Sequence, residues 1–296
     1  MKINSYFKGI ILAVIGPLLW GISGTVTQFL FQQKNFSPGW LVNIRLLFSG
    51  VILISLGLFK RNPNVINILK NNKDRRKLLI FSILGMLGVQ YTYFCAISYS
   101  NAATATILQY LSPVLITCYL ALKIKKVPSS KQIISIILAM TGTFLIITEG
   151  NIRSLSISNQ ALFWGLCSAI TSTIYTLQPI ELIKKYDSIS VVGWGMLLGG
   201  LLFSFIGRPW QCSGSWSLSS LLAVFFVVIF GTLIAFYCYI ESLKYINPST
   251  ASILGSGEPL SAAFLSVIFL NTPLSFFQWF GTACIIITII LLSKTS

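Results

Sequence analysis

The sequence predicts an all-α polytopic membrane protein, ten transmembrane helices arranged as a 5+5 inverted-topology repeat with both termini in the cytoplasm. Three observations carry this. Of 296 residues 55% are hydrophobic and only 9% charged, against roughly 25% charged in a soluble domain. The apolar residues fall in runs of about twenty, the length a helix needs to cross ~30 Å of hydrocarbon. And stretches of the first half of the chain return in the second.

The runs cover 8–30, 39–59, 78–99, 103–122, 130–149, 159–181, 189–207, 218–242, 248–270 and 273–293, with the narrowest divisions at 100–102 and 271–272. The first follows Lys2 and Lys8 as a secretory signal would, but it continues past Phe29 with no small-residue cleavage site. It is read as a membrane helix.

Charge sets the orientation. With the N-terminus inside, 17 of the 21 basic residues, including those of KRNPNVINILKNNKDRRK at 60–77, lie in cytoplasmic connections. Only Lys34, Arg153 and Arg208 fall outside, and Arg45 lies within a run. The net charge of +15 is therefore a positive-inside signal rather than a nucleic-acid footprint, and the 60–77 loop is placed to rest on anionic lipid. Five of the six cysteines lie in apolar runs and Cys212 in an outside loop, no pair has metal-ligand spacing, and there is no histidine. A zinc site is excluded, and no cofactor is expected. GISG at 21–24 resembles a serine-protease motif but has no histidine to act as base. GWGMLLGG at 193–200 lacks dinucleotide-binding spacing and reads as close helix packing. No glycine-rich phosphate loop with lysine is present, so ATP-driven pumping is not expected.

The duplication is legible in register. ATILQYLSPV (105–114) aligns with ASILGSGEPL (251–260) without a gap, LLWGISGTVT (18–27) with LFWGLCSAIT (162–171), and Gly88, Cys95 and Ile97 with Gly231, Cys238 and Ile240. The halves are 1–150 and 151–296. Five helices is an odd number, so the second copy enters the membrane from the opposite face. Inverted repeats of this kind mark secondary transporters, with the substrate site near the midplane where the repeats meet.

These segments, together with PGWLVNIRLLFSG (38–50), YFCAISYSNAATATILQYLSPVLIT (93–117) and EPLSAAFLSVIFL (258–270), resemble the EamA-domain branch of the drug/metabolite transporter superfamily. The resemblance covers nearly the whole chain. It implies a membrane permease, with amino acid or related metabolite export as the expected case, and a cavity between helices 1, 3, 4, 6, 8 and 9. One departure stands out. Members often carry a glutamate where helices 4 and 9 end, and here those places read ALKIKK and IFLNTP.

Within the ninth run Glu258 follows Gly255 and Gly257 and precedes Pro259. A carboxylate at a helix centre costs ~3 kcal/mol on insertion scales, so it faces protein or water. Proline has no N–H, which deprives the Gly255 carbonyl of its helical partner, and the glycines admit a ligand or another backbone. Pro113 does the same to the carbonyl of Gln109 in the fourth run. Proline-weakened helices at equivalent places in two halves point to a midplane site. Three roles fit Glu258: binding a substrate amine, carrying a proton through the cycle, or locking the structure as a hydrogen-bonded polar group.

Gln90 and Tyr93 share a face of the third helix, and a glutamine at that depth needs a partner. With Gln109 and Tyr110 they form an expected polar and aromatic wall, as the resemblance also implies. Trp20 and Trp164 are related by the repeat and are further substrate-contact candidates; Tyr175 and Gln178, before Pro179, are weaker ones. Arg45 reads as a structural residue in an internal ion pair. The expected partners are a small-molecule substrate, the lipid bilayer and protons. The alternative is a membrane-embedded enzyme acting on a lipid or lipid-linked substrate. Against it, Asp74, Glu149, Glu181, Asp187 and Glu241 all sit in loops or near span ends. A receptor or scaffold would carry a larger soluble part.

Overall fold

A computed structural model describes residues 5–124, 130–148, 157–211, 214–247 and 275–293, together with Ala251, Leu254, Gly255, Glu258, Ser261, Ala262, Leu265, Ile268 and Phe269. Among them every regular element is a helix. Gly257 and Pro259 lie outside the described residues, as does the 271–272 division.

Helix α1 (Ser5–Gln32) is followed by α2 (Pro38–Phe59), which Ser37 caps by accepting from the Trp40 amide at 3.1 Å. The 60–77 stretch is not simply a loop. It holds α3 (Asn64–Lys70) and the start of α4 (Asn72–Ile80), because the Asn71 side chain accepts from the amides of Lys73 and Asp74 and starts the helix inside the basic run. Hydropathy reads only where the helix meets lipid; the cap reads where it begins. Helix α4 continues through a π-helical segment (Phe81–Leu87) into α5 (Gly88–Tyr99). Asn101 caps α6 (Ala102–Gln109), and Gln28 of α1 adds an acceptor for the Ala102 amide at 2.9 Å.

The fourth run is broken in two. Tyr110 and Leu111 form a turn between α6 and α7 (Ser112–Ile124), just ahead of Pro113. Proline in second place of a helix needs no amide bond there. Helices α8 (Ser130–Thr148), α9 (Asn159–Leu177), α10 (Ile180–Lys185) and α11 (Ser188–Gly207) follow. The sixth run thus ends four residues earlier than its apolar stretch, at the turn before Pro179. Helix α12 (Leu218–Val228) passes through a second π-helical segment (Ile229–Ile234) into α13 (Ala235–Ser242), and α14 (Phe276–Ser293) is last. Among the described residues, six of the helical rods are long and apolar enough to cross a membrane.

The surface is inverted relative to a soluble protein. Phe59, Phe205 and Phe276 are 89%, 81% and 77% exposed, while Gln28, Asn43 and Ser49 are fully buried. Such a surface is stable only against hydrocarbon. Inside, polar groups tie helices together: Asn43 donates to the Gly200 carbonyl at 3.1 Å and Ser49 to that of Val228 at 3.1 Å. Small residues allow close approach, with Gly50 against the Leu197 backbone and Gly200 against Leu47. In GWGMLLGG, Gly193 and Gly200 accordingly serve packing of α11 on α2, and Gly195 and Gly199 its packing on the Phe81–Leu87 segment.

The broadest helix pairs are α2 with α11, α8 with α14, α5 with α9, and α1 with α13. In the order of the runs these are second with seventh, fifth with tenth, third with sixth, and first with eighth. Exchanging the two halves maps that set of pairs onto itself. The two π-helical segments lie on the third and eighth runs, each just before the residues that line the central cavity described next. π-helical insertions often accompany functional sites.

Candidate functional site: a central charged and aromatic cavity

At the centre of these pairs lies a cavity of about 720 Å³, counting space that opens to the exterior. Helix α1 contributes Trp20 to its wall, and Gly24, whose lack of a Cβ makes room for the Tyr93 hydroxyl. Helix α5 contributes Gln90 and Tyr93, the hydroxyl of the latter paired with Thr106 Oγ1 at 2.7 Å. The broken fourth run brings Gln109, Tyr110 and Ser112, and the ninth brings Gly255 and Glu258. Six residues named from the sequence as substrate contacts therefore meet at one place.

Trp164, the seventh, does not line it. Helix α9 presses Gly165 onto Leu108, where an added Cβ would come within 2.4 Å, and the next-door Trp164 turns to pack edge-on against Tyr91 at 5.5 Å. Tyr175 does line the cavity, whereas Gln178 donates its Nε2 to the Lys77 carbonyl at 2.6 Å and joins α9 to α4 instead.

The contact between the broken fourth run and the described residues of the ninth is specific. The Tyr110 hydroxyl donates to the Gly255 carbonyl and lies 3.2 Å from Glu258 Oε2. Gly255 O is the carbonyl whose helical partner would be residue 259, a proline without an N–H. Within its own segment that carbonyl accepts from the Glu258 amide at 2.9 Å, and a tyrosine from the first half adds a second donor. Helix α1 seals the same point: a Cβ on Gly21 would stand 2.8 Å from the Glu258 carbonyl oxygen.

Arg45 is the surprise. It is 3% exposed and makes no ion pair among the described residues. Its guanidinium lies on the cavity wall, 4.3 Å from the Phe94 ring centre and 5.7 Å from that of Phe236, an arrangement worth about 0.5–2 kcal/mol. The ion-pair expectation fails because Glu258, in the same cavity, is engaged by Tyr110, and the acids that do pair sit elsewhere. Asp74 pairs with Lys185, Glu181 with Lys77 and Glu241 with Lys244, all near helix ends. Contact with the Asp74 carboxylate holds the Lys185 ammonium above its ordinary range.

An aromatic shelf completes the wall. The Trp20 ring centre is 4.8 Å from Phe236 and 5.2 Å from Tyr239, and Tyr175 stacks on Tyr239 at 6.0 Å. Several polar atoms on this wall are buried without a partner among the described residues: Trp20 Nε1, Arg45 Nε, both amide atoms of Gln90 and the Tyr175 hydroxyl. Native interiors rarely leave such groups unpaired, and all of these belong to residues that line the cavity.

The EamA-like transporter family model matches this chain over residues 7–148 and again over 159–294. The chain belongs to the EamA-like transporter family. An uncharacterised inner membrane transporter of Salmonella typhimurium, YicL, is 41% identical over 98% of this chain and 96% of its own length. Protein PecM of Dickeya dadantii is 25% identical, covering 96% and 92%. An uncharacterised transporter of Bacillus subtilis, YyaM, is 22% identical, covering 86% and 84%. A solved crystal structure superposes with a TM-score of 0.67 over 96% of this chain and 95% of its own, at 18% identity, which shows the shared fold. This EamA-like chain is accordingly a multi-pass membrane transporter.

Two cavity residues of this family member escaped sequence reasoning although a signal existed. Phe236 stands in the eighth run where Tyr93 stands in the third, in the register set by Gly88 with Gly231 and Cys95 with Cys238. Tyr239 follows three residues on, on the same helical face. Carrying the repeat register from the third run into the eighth would have found both.

Proposed function

We propose that this EamA-like transporter is a secondary carrier that moves a small metabolite, an amino acid or a related compound, out of the cell by alternating access through the central cavity. One observation carries the reading: a cavity walled by helices from both halves of the chain, in which buried polar groups stand unpaired. Unpaired groups in an interior are costly unless a ligand answers them.

On this reading residues 1–150 and 151–296 are inverted copies of five spans each, with both termini in the cytoplasm. Helix pairs that exchange the halves without changing the set support it, and so does the matched placing of Pro113 and Pro259 in the fourth and ninth runs. Rocking one half against the other would expose the cavity to each side in turn. The export direction rests on the family resemblance. The site is the plasma membrane of a bacterium, in keeping with a relative named as an inner membrane transporter. Trp20, Gln90, Tyr93, Gln109, Tyr110 and Glu258 would contact substrate, and Glu258 is the group placed to carry a proton.

The test is flux of a metabolite panel through proteoliposomes, with and without a pH gradient, for wild type and Glu258→Gln. We expect one class of compound to move, a gradient to drive it in wild type, and the drive to vanish in the variant. Flux that ignores the gradient and survives the substitution makes the protein a facilitator or exchanger and Glu258 a structural lock. No flux of any compound refutes the carrier.

A further inference from the structure

Arg45 and Glu258 share one cavity as a buried cation and a buried carboxyl group, yet they form no ion pair with each other among the described residues. Each is expensive. Arginine keeps its proton at any accessible pH, and a lone buried charge costs several kcal/mol. Direct pairing would relieve both, but the chain holds the two groups separately. Arg45 is set against Phe94 and Phe236, and Glu258 is held by Tyr110. Aromatic surface is at hand, since Phe236 also touches Trp20, which touches Tyr239.

We propose that the cavity binds a zwitterion: the guanidinium of Arg45 takes its carboxylate, Glu258 takes its ammonium group, and a neutral side chain rests on Trp20, Phe236 and Tyr239. This rests on reading the cavity as the transport site, and deepens it by naming Arg45 as the residue that selects for a carboxylate. Charge accounting favours a zwitterion over its neighbours. A simple amine would leave Arg45 unanswered, a simple carboxylate would leave Glu258 unanswered, and either adds net charge to a buried space. A zwitterion adds none and meets both poles. The unpaired Arg45 Nε gives the guanidinium a free donor, and guanidinium–carboxylate contacts are among the stronger hydrogen-bonded pairs. Gln90, with both amide atoms unpartnered, offers a donor and an acceptor to the same ligand.

The test uses the full-length protein, read by proteoliposome flux and by ligand-induced thermal stabilisation in detergent. The probes are L-phenylalanine and L-leucine, the amines made from them by removing the carboxylate, and the acids made by removing the amino group. We expect wild type to favour each amino acid over both truncated forms by about 10- to 100-fold, the worth of one charged hydrogen-bonded contact. Arg45→Gln should erase the preference over the amine, and Arg45→Lys should recover part of it. The comparison of probes on wild type needs no variant, so poor folding of an Arg45 substitution does not blunt it. If an amine or a deaminated acid moves as well as its amino acid, or if Arg45→Gln keeps the discrimination, the carrier stands and the zwitterion site falls. The site also falls if flux of the wider panel reveals only substrates lacking one of the two charges. If no compound moves at all, the carrier reading fails and takes this inference with it.

Discussion

Replacing Gly21 with alanine tests whether the seam between α1 and the Glu258 segment governs transport. The added Cβ would lie 1.9 Å from Ser261 Oγ, 2.8 Å from the Glu258 carbonyl oxygen and 3.1 Å from Ser261 Cβ. The serine hydroxyl can rotate away, though it gives up its 2.9 Å bond to that same carbonyl. The carbonyl is backbone and has nowhere to turn. A carbon–oxygen contact relaxes to about 3.3 Å, so the segment must retreat by about 0.5 Å. Glu258 Oε2 starts 3.2 Å from the Tyr110 hydroxyl, already a long bond, and such a retreat takes the pair past about 3.6 Å, where no hydrogen bond remains. Overpacking costs about 1–3 kcal/mol, offset by about 0.5–1 kcal/mol from replacing a helical glycine. We expect a net loss of about 1–2 kcal/mol in thermal stability. Flux should fall by about tenfold or more, because the displaced group is the one proposed to act. The control is Gly39→Ala, where the nearest atom would be an ordinary 3.8 Å away. That variant should keep wild-type flux and be as stable as wild type or more so, by up to about 1 kcal/mol. Normal stability and flux in Gly21→Ala, or equal damage in Gly39→Ala, would refute the packing argument.

Two further outcomes follow from the same geometry. Tyr110→Phe removes the hydroxyl that ties the Gly255 carbonyl and Glu258 to the first half, while the Glu258 amide keeps its own bond to that carbonyl, so stability should drop by about 0.5–1.5 kcal/mol in thermal unfolding, the net worth of one hydrogen bond; unchanged stability would mean that this tie contributes nothing to the fold. Gln90→Leu should do the reverse in the ligand-free protein, raising stability by about 1 kcal/mol through removal of two unpaired polar atoms, while flux falls. A loss of both stability and flux would show that Gln90 is bonded within the fold.

The reading of the site depended on two kinds of information. Trp20, Gln90, Tyr93, Gln109, Tyr110 and Glu258 were legible because polar and aromatic side chains inside apolar runs are costly, and because the duplication aligned the two proline breaks. Trp164 was misplaced because repeat symmetry equates positions in sequence. It does not equate their surroundings, and the Gly165–Leu108 contact turns the two tryptophans to different neighbours. Arg45 was misread for a related reason. A buried charge predicts a partner, but whether that partner belongs to the protein or to a ligand depends on which acids the fold delivers to it.

Composition and run length determined by themselves that this chain spans a membrane, and charge asymmetry and internal repetition carry the proposals of its orientation and its two halves. Those properties answer to the solvent, and each residue meets the bilayer on its own account. The tertiary structure alone decided that Tyr110 covers the carbonyl before Glu258, that Phe236 and Tyr239 complete the aromatic wall, and that Arg45 and Glu258 face one cavity unpaired. The contacts among them join residues as far apart in the chain as Trp20 and Tyr239, 219 positions. They are set by how the helices rotate and pack against one another, which no local run of sequence records.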